Sequence, residues 1–170
     1  MQRYFTTTSV IALLGASLSL GALALFGHPA AAAKEYGPGV SDSAVKLGQT
    51  MPYSGSASSY GTIGKVELAY FKMINDQGGI DGRKIDLLSL DDGYDPPKTV
   101  EQMRKLVEED QVLLDFNSLG TPTNMAIQKY LNDRKVPQLF VASGATRGGD
   151  PQRFPWTMGW QPSYQAEGNI

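Results

Sequence analysis

Apolar residues follow two alternating patterns along the chain. Five short stretches contain alternating or continuous apolar positions, which are typical of β-strands. Residues that commonly end a strand, chiefly glycine, proline, serine and aspartate, lie close behind these stretches. We predict strands at Ala44–Thr50, Lys84–Leu90, Val112–Phe116, Val136–Val141 and Phe154–Trp160.

Between these strands the apolar spacing changes to i, i+3, i+4, which predicts amphipathic helices. The first predicted helix, Thr62–Gln77, ends at Gly78-Gly79. Its predicted inward face consists of Ile63, Val66, Tyr70, Met73 and Ile74. Further helices are predicted after Asp95, at Asn124–Asn132 and after Pro162-Ser163.

Strands that alternate with amphipathic helices predict βαβ crossovers and a parallel sheet. We therefore predict an α/β fold, with a doubly wound, mostly parallel sheet and helices on both faces. In an open sheet of this kind, ligands bind at the carboxyl ends of the strands. The loops that follow the strands are the places to look for function.

The first thirty-three residues have the features of a secretory signal rather than of a fold. Arg3 supplies a positive start, Val10–Phe26 is apolar, and Ala30–Ala33 offers the small residues that a signal peptidase accepts. We predict a signal peptide at residues 1–33, cleavage near Ala33 and export to the periplasm. A retained membrane anchor is the alternative, since the apolar run falls just short of the usual spanning length.

The mature chain would lack histidine and cysteine, because His28 is the only histidine and the sequence has no cysteine. This excludes histidine bases, cysteine nucleophiles, disulfides and zinc sites built on thiolate or imidazole ligands. The chain carries a net charge of −2, with acidic and basic residues interspersed. We therefore expect no enzyme activity, no cofactor, no metal and no nucleic-acid partner, and we expect a monomer that is not membrane-inserted.

Two segments flank this fold prediction. Residues 34–43 are rich in glycine, proline and serine and predict a flexible leader. Residues 44–170 then form one lobe. The sequence stops within the last predicted helix, with no capping glycine or closing strand, so we expect this lobe to be truncated.

Several polar loops are weak candidates for chemistry. Asp91, Asp92 and Asp95 lack the spacing of a calcium loop, and turn formation with a helix cap explains them better. The Ser54-Gly55-Ser56 loop lacks the motifs of phosphate and dinucleotide sites. No strand–turn–helix motif for a nucleophilic serine is present. Three tyrosines in these loops could wall a ligand or simply pack the loops: Tyr53, Tyr60 and Tyr94.

The loops after the third and fourth strands carry a stronger signal. Gly120, Thr121 and Thr123 follow one strand, and residues 143–146 (Ser-Gly-Ala-Thr) follow the next. Hydroxyls and backbone N–H groups at adjacent strand ends can bind a carboxylate. Turn chemistry alone is the alternative reading. Arg147 could strengthen such a site or face solvent.

The order of several segments resembles the N-terminal lobe of the leucine/isoleucine/valine-binding family of periplasmic (type I) solute-binding proteins. The similar segments are VKLGQTMPYSGSASSYG, INDQGGIDGRKIDLLSLDDGYDPPKTVEQMRKLV, LGTPTN and ASGAT. The resemblance covers about Ala44 to Ile170. It implies a two-lobed protein that captures a small molecule and delivers it to the membrane subunits of an ABC importer.

The resemblance also implies which residues bind. The first lobe would hold a ligand carboxylate through Gly120 and Thr121 and through Gly144 and Thr146, and Tyr60 would cover it. Glycine at position 120, where several members carry a hydroxyl, is one departure from the family pattern. Arg147 and the FPWTMGW run are another and resemble relatives that bind aromatic or other organic acids. We expect an amino acid or another small carboxylate as ligand, and a ligand-sensing regulatory module of the same fold is the alternative.

Overall fold

The computed structural model describes residues 34–170, so the predicted signal peptide at residues 1–33 lies outside the described residues. Five strands form one sheet: β1 (Ala44–Met51), β2 (Lys84–Asp91), β3 (Leu114–Phe116), β4 (Gln138–Val141) and β5 (Thr157–Gly159). Their order is β2-β1-β3-β4-β5, and every neighbouring pair is parallel. The predicted α/β fold, doubly wound with a parallel sheet, is confirmed.

Helices connect most of these strands. They are α1 (Gly61–Asp76), α2 (Pro96–Arg104), α3 (Thr121–Arg134) and α4 (Tyr164–Glu167), and α2 continues as a short π-helix, Lys105–Glu109. Within the part of the chain that is described, no helix is both long and apolar enough to cross a membrane. The strand order reverses direction between β1 and β3, and ligands commonly bind in the crevice that such a reversal creates.

Several predicted boundaries differ from the structure, and three of these differences have a local cause. α3 begins at Thr121 rather than Asn124, because Pro122 suits the first turn of a helix, where its missing N–H is not needed. β3 begins at Leu114, since the N–H of Val112 is bound to the carbonyl of Leu106 in the preceding helix. β5 is limited to three residues because the chain turns at Phe154, whose N–H donates to the carbonyl of Asp150 at 2.9 Å.

The main core lies where α2 and α3 pack together against the sheet. Met103, Leu106, Val112, Ile127 and Leu131 form this cluster, and each is at most 3% exposed. Val100 of α2, Val107 of the π-helix and Tyr130 of α3 pack against this cluster. A smaller cluster of Met51, Leu119 and Ala142 lies beneath the strand-exit loops, with Tyr53 and Tyr94 packed against it.

The predicted inward face of α1 is wrong for three of its five residues. Val66, Tyr70 and Met73 are 61%, 54% and 46% exposed. The face of α1 that contacts the sheet carries polar residues instead. Asn75 exchanges two 2.8 Å hydrogen bonds with the backbone of Ile85, and Glu67 accepts from Asn117 at 2.7 Å.

Part of the predicted leader contacts the fold. Val40 pairs with Val45 across a tight turn. The Tyr36 hydroxyl donates to Asp42 at 2.6 Å and accepts from Arg83 at 3.1 Å. The bounds of the leader and of the lobe remain predictions.

Candidate functional site

Parallel strands bring all their exit loops to one edge of the sheet, the carboxyl edge. The loops after β1 and β2 form one half of this edge, and the loops after β3, β4 and β5 form the other half. Each half has its own arrangement of polar groups. The difference between them decides where a ligand could bind.

In the first half, Asp91 at the end of β2 anchors the loop after β1. Its carboxylate accepts from the backbone N–H groups of Tyr53, Ser54 and Gly93 at 2.9, 3.0 and 3.0 Å. It also accepts from the Ser54 hydroxyl at 2.6 Å and from Lys98 Nζ at 2.9 Å. Desolvation raises the pKa of Asp91, but the hydrogen bonds from Ser54, Lys98 and Gly93 outweigh it and hold the pKa well below its usual range.

The neighbouring acids shape the turn into α2. Asp92 is buried and accepts from the Tyr94 N–H and from the Thr99 hydroxyl, each at 2.9 Å. Burial raises the pKa of Asp92 despite these bonds. Asp95 is the N-cap residue, as predicted, but its side chain makes no capping hydrogen bond. Across residues 34–170, no group of acidic or histidine side chains is placed to hold a metal ion.

In the second half, two hydroxyl groups meet without a carboxylate between them. The hydroxyls of Thr121, at the start of α3, and Ser143, after β4, lie 2.6 Å apart. Ser143 is 6% exposed and also accepts from the N–H of Ala145 at 3.1 Å. We call Thr121 and Ser143, together with Tyr164, whose ring packs against the neighbouring Gly144, the hydroxyl cluster.

Tyr164 reaches the cluster from the first position of α4. Its N–H donates to the carbonyl of Gly144 at 2.8 Å, and its ring lies so close to Gly144 that a side-chain carbon there would overlap it. Hydrogen bonds from the Gly144 N–H, then from Ser143 and Thr121, lower the pKa of the Tyr164 phenol. The Thr121 and Ser143 hydroxyls thus lie together, and Gly144 lies against the Tyr164 ring.

Gly120 shapes the loop before α3 through its backbone conformation, and its N–H is not free to bind a ligand. Its φ of 105° lies in the region that favours glycine, and its N–H donates to the carbonyl of Ala142 at 3.1 Å. A side-chain carbon at this position would overlap the Tyr94 ring. Tyr94 therefore packs the loops together, as Tyr53 does through its contact with the cluster beneath.

A buried polar layer supports the second half from below. Asp115 is 1% exposed and accepts from the Ser118 hydroxyl at 2.5 Å, and burial raises its pKa to about 7. Asn124 donates to the carbonyls of Ser118 and Gly120 at 2.8 and 2.7 Å and accepts from Gln138 at 2.9 Å. These bonds fix the position of the loop that leads into α3.

The remaining predicted residues lie around the edge. Thr146 is exposed and begins a 3₁₀ turn, Thr146–Gly149, while Tyr60 is 59% exposed at the end of the loop after β1. Arg147 turns toward α3, where its Nε donates to Gln128 at 2.7 Å, and its guanidinium lies 4.7 Å from the ring centre of Phe154. It therefore neither joins the hydroxyl cluster nor simply faces solvent.

An open groove runs along the second half, between the loops after β4 and β5. Its volume is about 620 Å³, and Gly144, Thr146, Met158 and Trp160 are among the residues that line it. Met158 and Trp160 are 43% and 58% exposed. An apolar wall thus lies beside the hydroxyl cluster, which suits a ligand with a polar end and an apolar body.

Sequence reasoning missed the role of Tyr164 and left Ser143 out of the predicted site. Ser143 was visible as part of a hydroxyl loop. The signal for Tyr164 was its position directly after Pro162-Ser163, since a helix that follows a parallel strand begins at the carboxyl edge. The Ser163 hydroxyl accepts from the Ala166 N–H at 3.1 Å, so the predicted cap of this helix is present.

This fold is found in a known protein family. A family model described as periplasmic binding protein matches residues 44–169. The chain belongs to this periplasmic binding protein family. The resemblance to the leucine/isoleucine/valine-binding proteins is confirmed, and the family is one of binding proteins that act outside the cytoplasm.

Solved structures agree with the family. A possible leucine/isoleucine/valine-binding protein from Rhodopirellula baltica is 26% identical, with a TM-score of 0.67 over 74% of this chain and 33% of that one. A substrate-binding periplasmic protein from Ralstonia solanacearum is also 26% identical, with a TM-score of 0.64 over 71% and 34%.

A fatty acid ABC transporter substrate-binding protein from Thermomonospora curvata is 30% identical, with a TM-score of 0.54 over 61% of this chain and 26% of that one. The chain thus spans about a third or less of the length of these structures. No curated protein matches the chain.

Proposed function

We propose that this chain is the ligand-gripping lobe of a periplasmic solute-binding protein that captures a small carboxylate for an ABC importer. The observation that carries the proposal is the pairing of the Thr121 and Ser143 hydroxyls, 2.6 Å apart at the carboxyl edge, with the buried backbone of Gly144 next to Ser143. Hydrogen bonds from such donors to a charged oxygen are stronger than those between neutral groups. A carboxylate bound at this point would be held without a formal positive partner.

The start of α3 adds to this preference. Thr121 is the first residue of a fourteen-residue helix, and the N-terminal end of a helix carries a partial positive charge. This charge favours an anion near the Thr121 hydroxyl. Thr146 and Tyr60 would complete the site in the proposed arrangement, with Thr146 as a further donor and Tyr60 as a cover.

The ligand body would lie along the groove beside Met158 and Trp160. An exposed tryptophan suits an aromatic or branched apolar body. Solved relatives are described as binding proteins for leucine/isoleucine/valine and for fatty acids, ligands that share a carboxylate and differ in the apolar part. We therefore propose the carboxylate as the common feature and an amino acid or aromatic acid as the ligand class.

Binding without chemical change is part of the proposal. Residues 34–170 contain no histidine or cysteine, and within these residues the hydroxyls of Thr121 and Ser143 bond to each other and to the Ala145 N–H rather than to a carboxylate or lysine that could act as a base. The family consists of binding proteins rather than enzymes. Transport, rather than sensing, is proposed because similar solved structures are named as transporter components.

The proposal is tested by calorimetric titration of the full-length protein with L-isoleucine and 3,4-dihydroxybenzoate. The matched control ligands are isoleucinamide and 3,4-dihydroxybenzamide, which keep the apolar body but lack the carboxylate. We expect at least one acid to bind and its amide to bind much more weakly. Equal binding of acid and amide, or no binding of either acid, would contradict the proposed carboxylate site.

A further inference from the structure

A buried acid beneath the second half has no part in the proposed function so far. Asp115, on β3, is 1% exposed. Its Oδ1 atom accepts from the Ser118 hydroxyl at 2.5 Å, whereas its Oδ2 atom is buried with no hydrogen-bond partner among the described residues. An ionised carboxylate in such a place needs several donors or a cation, so this geometry favours the neutral acid.

No charged side chain faces Asp115 from the elements around it. Its register partners on the neighbouring strands are Gly48 of β1 and Gln138 of β4, and Asn124 of α3 reaches the same layer through its bond to Gln138. Burial raises the pKa of Asp115 to about 7, and no cation offsets it. The ionisable side chains of β1, α2 and α3 are all outside the buried class: Lys46, Lys98, Glu101, Arg104, Lys129, Tyr130, Asp133 and Arg134.

Ser118 connects this acid to the loop that carries Ser143. Its hydroxyl donates to Asp115, and its carbonyl accepts from the N–H of Ala142 at 3.1 Å. Ala142 lies directly before Ser143 in the chain. The same carbonyl accepts from the Asn124 side chain at 2.8 Å. A change at Asp115 therefore reaches the loop after β4 through one residue.

The start of α3 is joined to the same point. Asn124 also donates to the carbonyl of Gly120 at 2.7 Å, directly before Thr121. A cavity of about 20 Å³ lies between this layer and the hydroxyls, and Thr121, Asn124, Gln138 and Ser143 are among its lining residues. A space of this size holds about one water molecule. The charge of Asp115 and that of a bound carboxylate would thus act on each other through protein rather than through bulk water.

We propose that Asp115 is a positioning residue that must be protonated for tight binding of a carboxylate, so that ligand binding is linked to the uptake of a proton. The inference rests on the proposed function and deepens it, because it adds regulation by pH to the same site. The neutral acid holds Ser118, and through it the loops of Thr121 and Ser143. An ionised Asp115 places a second negative charge beneath a ligand that is itself an anion.

The direction of the pH effect follows from this linkage. Below the pKa of Asp115 the free protein already carries the proton and binds the ligand at full strength. Above it the proton must be taken up on binding, so affinity falls as the pH rises through about 7. Repulsion between two like charges separated by several ångströms of protein makes this fall about 3- to 10-fold.

The test measures affinity and proton uptake of the full-length protein between about pH 5.5 and pH 8, where the probe carboxylates stay ionised. The probes are L-isoleucine and 3,4-dihydroxybenzoate. Calorimetric titration in two buffers with different ionisation enthalpies gives the number of protons taken up per ligand. For the wild type we expect a maximum uptake of about 0.3 to 0.5 proton, the value that corresponds to a 3- to 10-fold fall in affinity.

Asp115→Asn separates a proton-linked role from a merely structural one. The asparagine is neutral at every pH and keeps an oxygen that can accept from Ser118. We expect this variant to take up no proton, to bind with the same affinity across the range, and to bind an acid about 3- to 10-fold more tightly than the wild type at about pH 8. Asp86→Asn is the matched control, since it removes an exposed aspartate on β2, and we expect it to keep the wild-type profile.

The outcomes separate the inference from the proposed function. If the wild type binds an acid without proton uptake and with equal affinity at about pH 6 and pH 8, the inference is wrong and the proposed function stands. Uptake that persists in Asp115→Asn also overturns the inference. If the wild type binds neither acid at any pH, the proposed function fails, and the inference fails with it. Uptake that is lost only in Asp115→Asn supports both.

Discussion

The two halves of the carboxyl edge contain similar residues but differ in how their polar groups are satisfied. In the half after β1 and β2, Asp91 and Asp92 accept hydrogen bonds from the loop backbone, from Ser54 and from Thr99. In the half after β3, β4 and β5, the hydroxyls of Thr121 and Ser143 meet each other, and the Tyr164 ring packs against Gly144 beside them. The first half already contains its anions, whereas the second half lacks one.

This difference teaches how to separate structural loops from binding loops. A hydroxyl that donates to an internal carboxylate stabilises the fold and has little left to offer a ligand. A group of donors around a weak acceptor keeps its capacity for a stronger one. Serine and glycine at the end of a strand do not show by themselves which case applies.

The largest expected effect concerns Asp115, which lies buried beneath the second half. Its unfolded carboxyl ionises near pH 4, while the folded carboxyl keeps its proton up to about pH 7. The folded state therefore binds more protons in this window, and this group makes stability fall as pH rises from 4 to 7. Asp115→Asn removes the effect and should gain about 4 kcal/mol relative to wild type between pH 4 and pH 8.

Chemical unfolding of both proteins at several pH values measures this difference. The exposed Asp86→Asn is the charge control, because it removes an aspartate from β2 without entering the buried layer. A wild-type-minus-variant difference that stays constant from pH 4 to pH 8 would show that Asp115 is ionised in the folded protein.

The next effect concerns Asp91, the anion of the first half. Asp91→Ala leaves the N–H groups of Tyr53 and Ser54 and the Ser54 hydroxyl without their acceptor. We expect a loss of about 3 kcal/mol in the free energy of unfolding, the scale of lost hydrogen bonds to a charged group, reduced because Asp91 is partly exposed. Urea unfolding at pH 7 measures it, with the exposed Asp95→Ala as control. Equal losses for both variants would contradict the anchoring role.

The smallest effect compares one hydroxyl from each half. Thr121→Val should weaken binding of L-isoleucine or 3,4-dihydroxybenzoate by about 2 kcal/mol, because a donor to the charged oxygen is lost. Ser54→Ala should leave this affinity unchanged and reduce stability by about 1 kcal/mol, because its hydroxyl donates to Asp91. Calorimetric titration and thermal unfolding of both variants provide the measurements. The reverse pattern would show that the halves have been assigned the wrong roles.

Much of the fold was accessible from sequence because its signals are local. The spacing of apolar residues in β1, β2 and the helices, together with glycine and proline at their ends, predicted the strands, the helices and the parallel sheet. The inward face of α1 was not accessible in the same way. Glu67 and Asn75 face the sheet because their partners lie there, Asn117 directly after β3 and Ile85 on β2. The spacing of apolar residues within α1 gives no sign of such bonds.

The candidate site was predicted in part. Thr121 and Gly144 were expected from their loops, and the structure places Thr121 against Ser143 and Gly144 against the Tyr164 ring. Gly120 and Arg147 lie nearby, but the N–H of Gly120 is bound to Ala142, and Arg147 turns toward Gln128. The proposed roles of Tyr60 and Thr146 remain predictions for the full-length protein.

By itself, the sequence determined the order of strands and helices, the parallel sheet and the edge at which polar loops collect, because these follow from periodicity and from the right-handed connection of neighbouring strands. Only the tertiary structure decided which of those loops keep an unfilled capacity for an anion. That capacity depends on distances between groups far apart in the chain, such as Ser54 and Asp91 or Thr121 and Ser143. Hydrogen bonds between residues so far apart in the chain depend on packing. No regular spacing of residues along the sequence predicts them.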